Sequence, residues 1–503
     1  MNIGTLLPRY ARYQPEKLAF VIGEKRLTYG EFNTHVNKLA NALLSNGVRK
    51  GEKMATVLSN SLELMAAYWA AAKTGIVIVP CSPILQESGL LNLLADSDTV
   101  FVLADSTFAD SLERIKDTLP IRGCVLVGGQ PREGFTLYEE FISEVSGDNP
   151  PDANLSDSDV YNIMYSSGTT GSPKGIIHTH YVRAMYCTIF ASACRMTPES
   201  ICLHAGSIVF NGAMLDLMPW MFVGCTYIVH ESFNPEAVIR DVKKYRVTHM
   251  IMVPSQIIAI LNSPAFDLKA LESLEMIQSL GAPLHLEYKH RINELLPGRF
   301  YELYGLTEGF FTVLDKYDAV RKVGSVGIPP SFYEMRILNE EGEECAPGEI
   351  GEICGRGPTL MPGYYKRPDL TKEAIVDGWL HSGDAGYVDE DGFLFLVDRF
   401  KDMIITGGVN VYPKDIEEII IQHPSISEVA VFGVPNERWG ETPVVAVVLG
   451  EGKSVDIEDL IRWSNSRVDA KFQRISDVII MDAFPRNVAG KILKRELREA
   501  YEG

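Results

Sequence analysis

Two hydrophobic rhythms alternate along this chain. Over residues 32–46, leucine and alanine recur at the spacing of a helix that buries one face, and Gly47 marks its end. Residues 52–58 form a short apolar run, the pattern of a buried strand. Residues 62–73 return to helical spacing, and Ile76-Val-Ile-Val-Pro80 is a second buried strand. The same order recurs further on, with strands at 226–229 and 250–253 joined by a helix at 235–245. Strands linked through a helix pair in parallel, because a crossover of that length returns the chain to run the same way. The pattern predicts an α/β fold of layered helices and sheets.

From about Gly324 the rhythm changes. Short strands alternate with Gly and Pro turns through Gly392, which predicts a β-rich subdomain over about 324–399. After Arg399 a fresh α+β unit begins: a helix at 413–422, strands at 429–433 and 443–449, and a helix at 457–468. The expected division is a large domain over 1–399 and a small one over 400–503. A length of 503 residues agrees, being several times the roughly 150 residues typical of one core.

Composition narrows the picture. Apolar residues at 46% and charged residues at 22% are ordinary for a soluble globular chain. No apolar run reaches the roughly 18–20 residues that span a bilayer, so no integral membrane segment is expected. The first 17 residues set Arg9 and Arg12 beside tyrosines, without the apolar stretch of a signal peptide or anchor. Eight cysteines form no Cys-x-x-Cys pair and mostly have apolar neighbours, as free thiols do in a reducing compartment, so a cytoplasmic location is expected. A formal charge of −19 argues against nucleic acid or an anionic membrane surface as partner. A homo-oligomer is compatible with this sequence.

Candidate chemistry is densest in Tyr165-Ser-Ser-Gly-Thr-Thr-Gly-Ser-Pro-Lys-Gly175. Glycine lets backbone N–H groups approach an anion, hydroxyls add donors, and Lys174 adds charge that can follow phosphate oxygens. That inventory suits a nucleotide triphosphate tail held by a backbone nest. It is not a Walker loop, because the lysine follows a proline and precedes a glycine.

The segment closely resembles the phosphate loop of the adenylate-forming superfamily of acyl-CoA synthetases, carrier-loading adenylation domains and luciferases. Further matches follow in the family's order: Tyr304-Gly-Leu-Thr-Glu308, His381-Ser-Gly-Asp384, Asp398-Arg-Phe-Lys-Asp-Met-Ile-Ile-Thr-Gly-Gly408 and Pro485-Arg-Asn-Val-Ala-Gly-Lys491. The N-terminal third, from Leu27-Thr-Tyr-Gly-Glu31 through Leu58-Ser-Asn60, also reads like the family. The resemblance is global, and it implies a large domain with a mobile C-terminal domain and the active site between them.

It also implies two half-reactions. A carboxylate attacks the α-phosphate of ATP, giving an acyl adenylate and pyrophosphate; the CoA thiol then takes the acyl group and releases AMP. By this resemblance Ser166, Ser167, Gly168, Thr169, Thr170, Gly171 and Lys174 cradle the β- and γ-phosphates. Thr307 bonds the α-phosphate and Glu308 holds Mg²⁺. Tyr304 stacks on adenine, with Gly281, Ala282 and Pro283 along its edge and Gly305 beside it. Asp384 reads the ribose hydroxyls, Arg399 contacts ribose or phosphate, and Lys491 is the adenylation catalyst. Lys401 is the hinge about which the small domain turns. Gly407 and Gly408 line the pantetheine tunnel, and the Val409-Asn-Val-Tyr-Pro413 that follows them looks most like acyl-CoA synthetases.

The acyl pocket is expected among Phe210, Asn211, Met214, Gly281, Gly305, Phe310 and Phe311. Where the family often has an aromatic-His pair this chain has Phe210-Asn211, so a gating histidine is absent or displaced. None of these residues is a fixed cation, which points to a neutral, hydrophobic monocarboxylic acid, short or flat rather than long. Aromatic packing of the core is the alternative reading of Phe310 and Phe311. Loading of a separate carrier protein, or an inactive ATP-binding relative, are the competing functions.

Overall fold

In the computed structural model two large sheets enclose a shared core, and two smaller sheets follow. The structure describes residues 1–166, 174–399, 402–406, 409–436, 438–468, 470–486 and 492–502. The first large sheet has seven strands, ordered Thr136–Leu137, Gly123–Val127, Thr99–Asp105, Lys53–Val57, Val77–Cys81, Val160–Ser166 and Lys174–Thr179. All its pairings are parallel except the last, a hairpin. The second has eight strands, ordered Phe311–Leu314, Phe300–Gly305, Met276–Leu280, His249–Met252, Ile201–His204, Thr226–Val229, Leu18–Ile22 and Lys25–Thr28. Its interior is parallel and its two outermost pairings are antiparallel.

Helices fill the space between the sheets. Leu62–Thr74 is buried along its whole length, and its alanines leave room for Trp69, whose ring meets Trp220 edge-on at 6.1 Å. One apolar cluster includes this helix, parts of Tyr29–Ser45, His180–Ala193 and Met214–Val223, and residues of both sheets. A second cluster packs the helices Pro235–Tyr245, Pro254–Asn262 and Leu286–Leu295 against the eight-stranded sheet. A third covers the seven-stranded sheet with Glu87–Asp96 and Ala109–Ile115.

The expected elements are present, with shifted ends. The first long helix starts at Tyr29, because Thr28 and Glu31 cap it reciprocally and extend it one turn. The C-terminal strands are longer than expected, Ile426–Asn436 pairing with Gly440–Leu449, while the last-expected helix stops at Asn465. Between them the region from Glu334 to Arg399 forms a five-stranded sheet of antiparallel pairs. Two parallel strands of the larger sheet, Met276–Leu280 and Phe300–Gly305, run out at Gly281 and at the Thr307 loop. Ligands of open α/β sheets gather at such carboxyl ends.

Candidate active site

The strands Val160–Ser166 and Lys174–Thr179, which flank the glycine-rich run in sequence, pair antiparallel at the edge of their sheet, with Ser166 opposite Lys174. Ser167, Gly168, Thr169, Thr170 and Gly171 lie outside the described residues, as do Lys401, Gly407, Gly408 and Lys491, together with the side chains of Ser166 and Arg399. The hairpin's base is pinned from two sides. Tyr165 donates its hydroxyl to Asp96 at 2.7 Å, and Arg367 donates to the other oxygen of Asp96 at 2.6 Å. Next to it Tyr365 and Lys366 donate to Asp98 at 2.8 and 2.5 Å.

The strand at Lys174 also meets a segment that the sequence reading missed. The Tyr365 N–H donates to the Gly175 carbonyl at 2.7 Å, and Tyr364 bridges Ile176. Tyr364 then spans the site. Lys174 Nζ lies 5.3 Å from its ring centre, and its hydroxyl donates to Glu308 Oε1 at 2.9 Å. Burial, and then the Glu308 charge, raise the pKa of Tyr364, so the phenol stays protonated and donates. One tyrosine thus fixes the proposed phosphate lysine and the proposed metal carboxylate at once. The signal was the aromatic pair in Met361-Pro-Gly-Tyr-Tyr-Lys366, beside a glycine and a proline.

The Thr307–Glu308 turn is locked from below. Gly309 has φ +114°, and a Cβ there would sit 2.0 Å from the Thr359 carbonyl oxygen, so only glycine fits. The Thr359 hydroxyl donates to the Gly309 carbonyl at 2.6 Å, and the Met361 N–H donates to the Glu308 carbonyl at 2.8 Å.

A buried polar chain holds the same turn from the other side. His178 Nε2 lies 2.8 Å from the Thr307 carbonyl oxygen, which can only accept, so that nitrogen carries the proton. Nδ1 is then the acceptor, and Arg183 donates to it at 3.1 Å. Burial and the Arg183 charge push the His178 pKa well below its ordinary value. Arg183 is fully buried and also donates to Asn162 and Asn211, each at 2.9 Å. Asn211 in turn donates to the Tyr186 hydroxyl at 3.1 Å. A cation therefore stands directly behind Asn211, where none was expected among the pocket residues themselves. It orients the amide with its oxygen toward Arg183 and its NH₂ away. A single arginine in the apolar helix His180–Ala193 was the readable signal.

Around this chain lie the other pocket candidates. Phe311 stacks on Phe190 at 4.5 Å and meets Tyr333 at 4.7 Å, while Phe310 and Met214 are buried. Phe210 and Asn211 are half-buried. Gly305 abuts Phe311 across the strand pair, and Gly281, Ala282 and Pro283 are exposed at the end of Met276–Leu280. Tyr304 donates its hydroxyl to Asp384 Oδ2 at 2.8 Å, joining the expected adenine and ribose residues. The Asp384 turn is shaped by Glu352, which accepts from the Gly383 N–H at 3.0 Å and faces His381 Nδ1 at 2.7 Å. Asp384 is also paired in register with Arg399.

Comparison with known proteins decides the family. The profile of the AMP-binding enzyme family matches residues 7–365, and that of the AMP-binding enzyme C-terminal domain matches 415–491. The chain belongs to the AMP-binding enzyme family. A feruloyl-CoA synthase from an Amycolatopsis species is 34% identical, with 99% of each chain covered. The long-chain-fatty-acid–CoA ligase FadD13 of Mycobacterium tuberculosis is 32% identical, covering 99% of this chain and 98% of that one. Among solved structures, ATP-bound MatB from Rhodopseudomonas palustris superimposes with a TM-score of 0.91 at 28% identity, covering 100% of this chain and 99% of that one. The chain is thus an adenylate-forming enzyme of the AMP-forming acid–thiol ligase class, and such ligases use ATP, Mg²⁺ and CoA. Among the described residues, no helix is long and apolar enough to cross a membrane.

Proposed function

We propose that this enzyme activates a hydrophobic, short or flat monocarboxylic acid as its adenylate and transfers it to CoA. The observation that carries this reading is the convergence on Tyr364 of Lys174, from the seven-stranded sheet, and Glu308, past the end of Phe300–Gly305 in the eight-stranded sheet. Phe311 of the Phe190–Phe311–Tyr333 aromatic wall follows three residues further along the chain from Glu308. Lys174 and the glycine-rich run 166–171 hold the β- and γ-phosphates. Thr307 donates to the α-phosphate. Glu308 offers hard carboxylate oxygens, the donor type Mg²⁺ takes, and the ion neutralises phosphate charge when bound. Asp384 accepts from ribose, Arg399 lies in register beside it, and Tyr304 sits between ribose and adenine.

The acid and ATP are both anionic, so catalysis rests on neutralising charge and aligning the carboxylate oxygen with the α-phosphorus. Lys491 supplies the cation between the two reacting groups. Asn211 offers an N–H toward the acyl group. In the second step the small domain, 400–503, turns about Lys401, and Gly407 and Gly408 admit the pantetheine thiol. The thiol sulfur bonds to the acyl carbon and AMP leaves with the former carboxylate oxygen. Free cysteines among the described residues support a reducing, cytoplasmic setting.

The test is pyrophosphate release from Mg-ATP over short, branched, aromatic and long acids, each with and without CoA. CoA-dependent turnover with flat or short hydrophobic acids is expected. Pyrophosphate exchange without CoA-dependent turnover would show a carrier-loading enzyme, and no exchange with any acid would overturn the reading.

A further inference from the structure

A second cationic site lies away from these residues, at the N-terminus of the chain. Lys73, the penultimate residue of the helix Leu62–Thr74, is 8% exposed, and no carboxylate pairs with it among the described residues. Its ammonium donates instead to three amide oxygens: Asn33 and Asn37 at 2.5 Å and Asn149 at 3.1 Å. Burial pulls its pKa down to about 7, while the three accepted N–H bonds favour the charged form.

An ammonium can only donate, so each of these amides must turn its oxygen toward Lys73 and its NH₂ group away. Asn37 gives its NH₂ to the Gly147 carbonyl at 2.8 Å. Asn33 and Asn149 instead line an open cleft of about 670 Å³. Thr5 and the helix Leu6–Tyr13 that follows it supply the rest of the lining, Arg9, Arg12 and Tyr13 among it. Both guanidinium groups lie over the Tyr13 ring, at 5.8 and 5.3 Å. Among the described residues, no carboxylate lines the cleft. In a chain of net charge −19 a cavity walled by two arginines and two outward amide NH₂ groups, above a buried ammonium, is a strong local inversion of the field. Its volume falls in the range of small-molecule sites, roughly 300–1,000 Å³, and it opens broadly to solvent.

We propose that this cleft is a second oxyanion site, which takes a soluble small molecule bearing a phosphate or pyrophosphate group. Arg9 and Arg12 would supply charge-assisted bonds from one wall, and Asn33 and Asn149 neutral donors from the other. Lys73 orients the amides and adds charge from beneath. The proposal does not depend on which acid the enzyme activates.

The test uses the full chain and pyrophosphate as probe, without Mg²⁺, followed by titration calorimetry. Wild-type protein should take up two equivalents, one at the active site and one in this cleft. Arg9→Ala with Arg12→Ala should weaken that event by at least about tenfold, since both charge-assisted contacts go. Asn149→Asp keeps an acceptor for Lys73 and places a negative oxygen in the cleft, so it should weaken binding likewise. Acid-dependent pyrophosphate release should be unchanged in both variants. A single equivalent, or a second event indifferent to these substitutions, would overturn the proposal. So would binding to vesicles of anionic phospholipid with none to pyrophosphate, which would make the cleft a membrane contact.

Discussion

Tyr364→Phe separates the two contacts that this tyrosine makes in the candidate active site. It removes the hydroxyl that donates to Glu308 at 2.9 Å and keeps the ring 5.3 Å from Lys174 Nζ. A hydrogen bond to a charged group contributes about 1.5–3 kcal/mol. Glu308 is half-buried, and water will replace part of that contact. We therefore expect a loss of about 1–2 kcal/mol in transition-state stabilisation, or about 5- to 30-fold in kcat/KM for ATP. Tyr364→Leu also removes the ring, and at an estimated 0.5–1 kcal/mol for a cation over an aromatic face it should cost about two- to five-fold more. The assay is initial-rate pyrophosphate release at subsaturating ATP, with thermal unfolding of each variant alongside. The effect should appear in ATP and Mg²⁺ dependence and leave the acid KM nearly constant. Wild-type kcat/KM in the Phe variant would refute the bridging role, and so would an activity loss matched by a large fall in Tm.

Three further outcomes follow from the geometry. His180 is fully buried, with both ring nitrogens unpartnered among the described residues, and burial lowers its pKa to about 4. The unfolded chain therefore binds a proton below about pH 6.5 that the folded chain refuses, so stability present above 6.5 is lost as pH falls toward 4, by about 3 kcal/mol from this group. In denaturant titrations His180→Phe should flatten the slope between pH 6.5 and 4, and an unchanged slope would contradict this. Arg183→Met leaves the acceptors of Asn162, Asn211 and His178 without their donor and should cost about 3–5 kcal/mol, read as a lowered denaturation midpoint. Phe311→Leu removes the ring between Phe190 and Tyr333 and should extend turnover toward longer acids, at about 1 kcal/mol of stability; an unchanged acid preference would place the acyl group elsewhere.

The layered α/β plan was legible because it is written in periodicity. The runs at 62–73 and 76–80 carry strand and helix signatures that no tertiary contact needs to supply. Element ends were less legible, since capping by Thr28 and Glu31 depends on side-chain geometry that periodicity does not register. Candidate site residues in short motifs, such as Thr307, Glu308 and Asp384, stand out in the sequence itself. The roles of Tyr364 and His178 do not, because they act through contacts across 56 and 129 positions of the chain, and Arg183 showed only as a lone arginine in an apolar helix. Lys73 was hidden for a related reason: its three amide partners come from two separate stretches, and a lysine within an apolar helix reads as a snorkelling surface charge until its neighbours are known.

The central claim is that the acid's own oxygen ends on AMP. Turnover of an acid labelled with ¹⁸O in both carboxylate positions, with ATP and CoA, followed by mass spectrometry of the products, tests it directly. Attack on the α-phosphorus predicts AMP carrying one labelled oxygen, unlabelled pyrophosphate, and an acyl-CoA that keeps the other label. Unlabelled AMP, with the label in phosphate or pyrophosphate, would contradict the acyl-adenylate route.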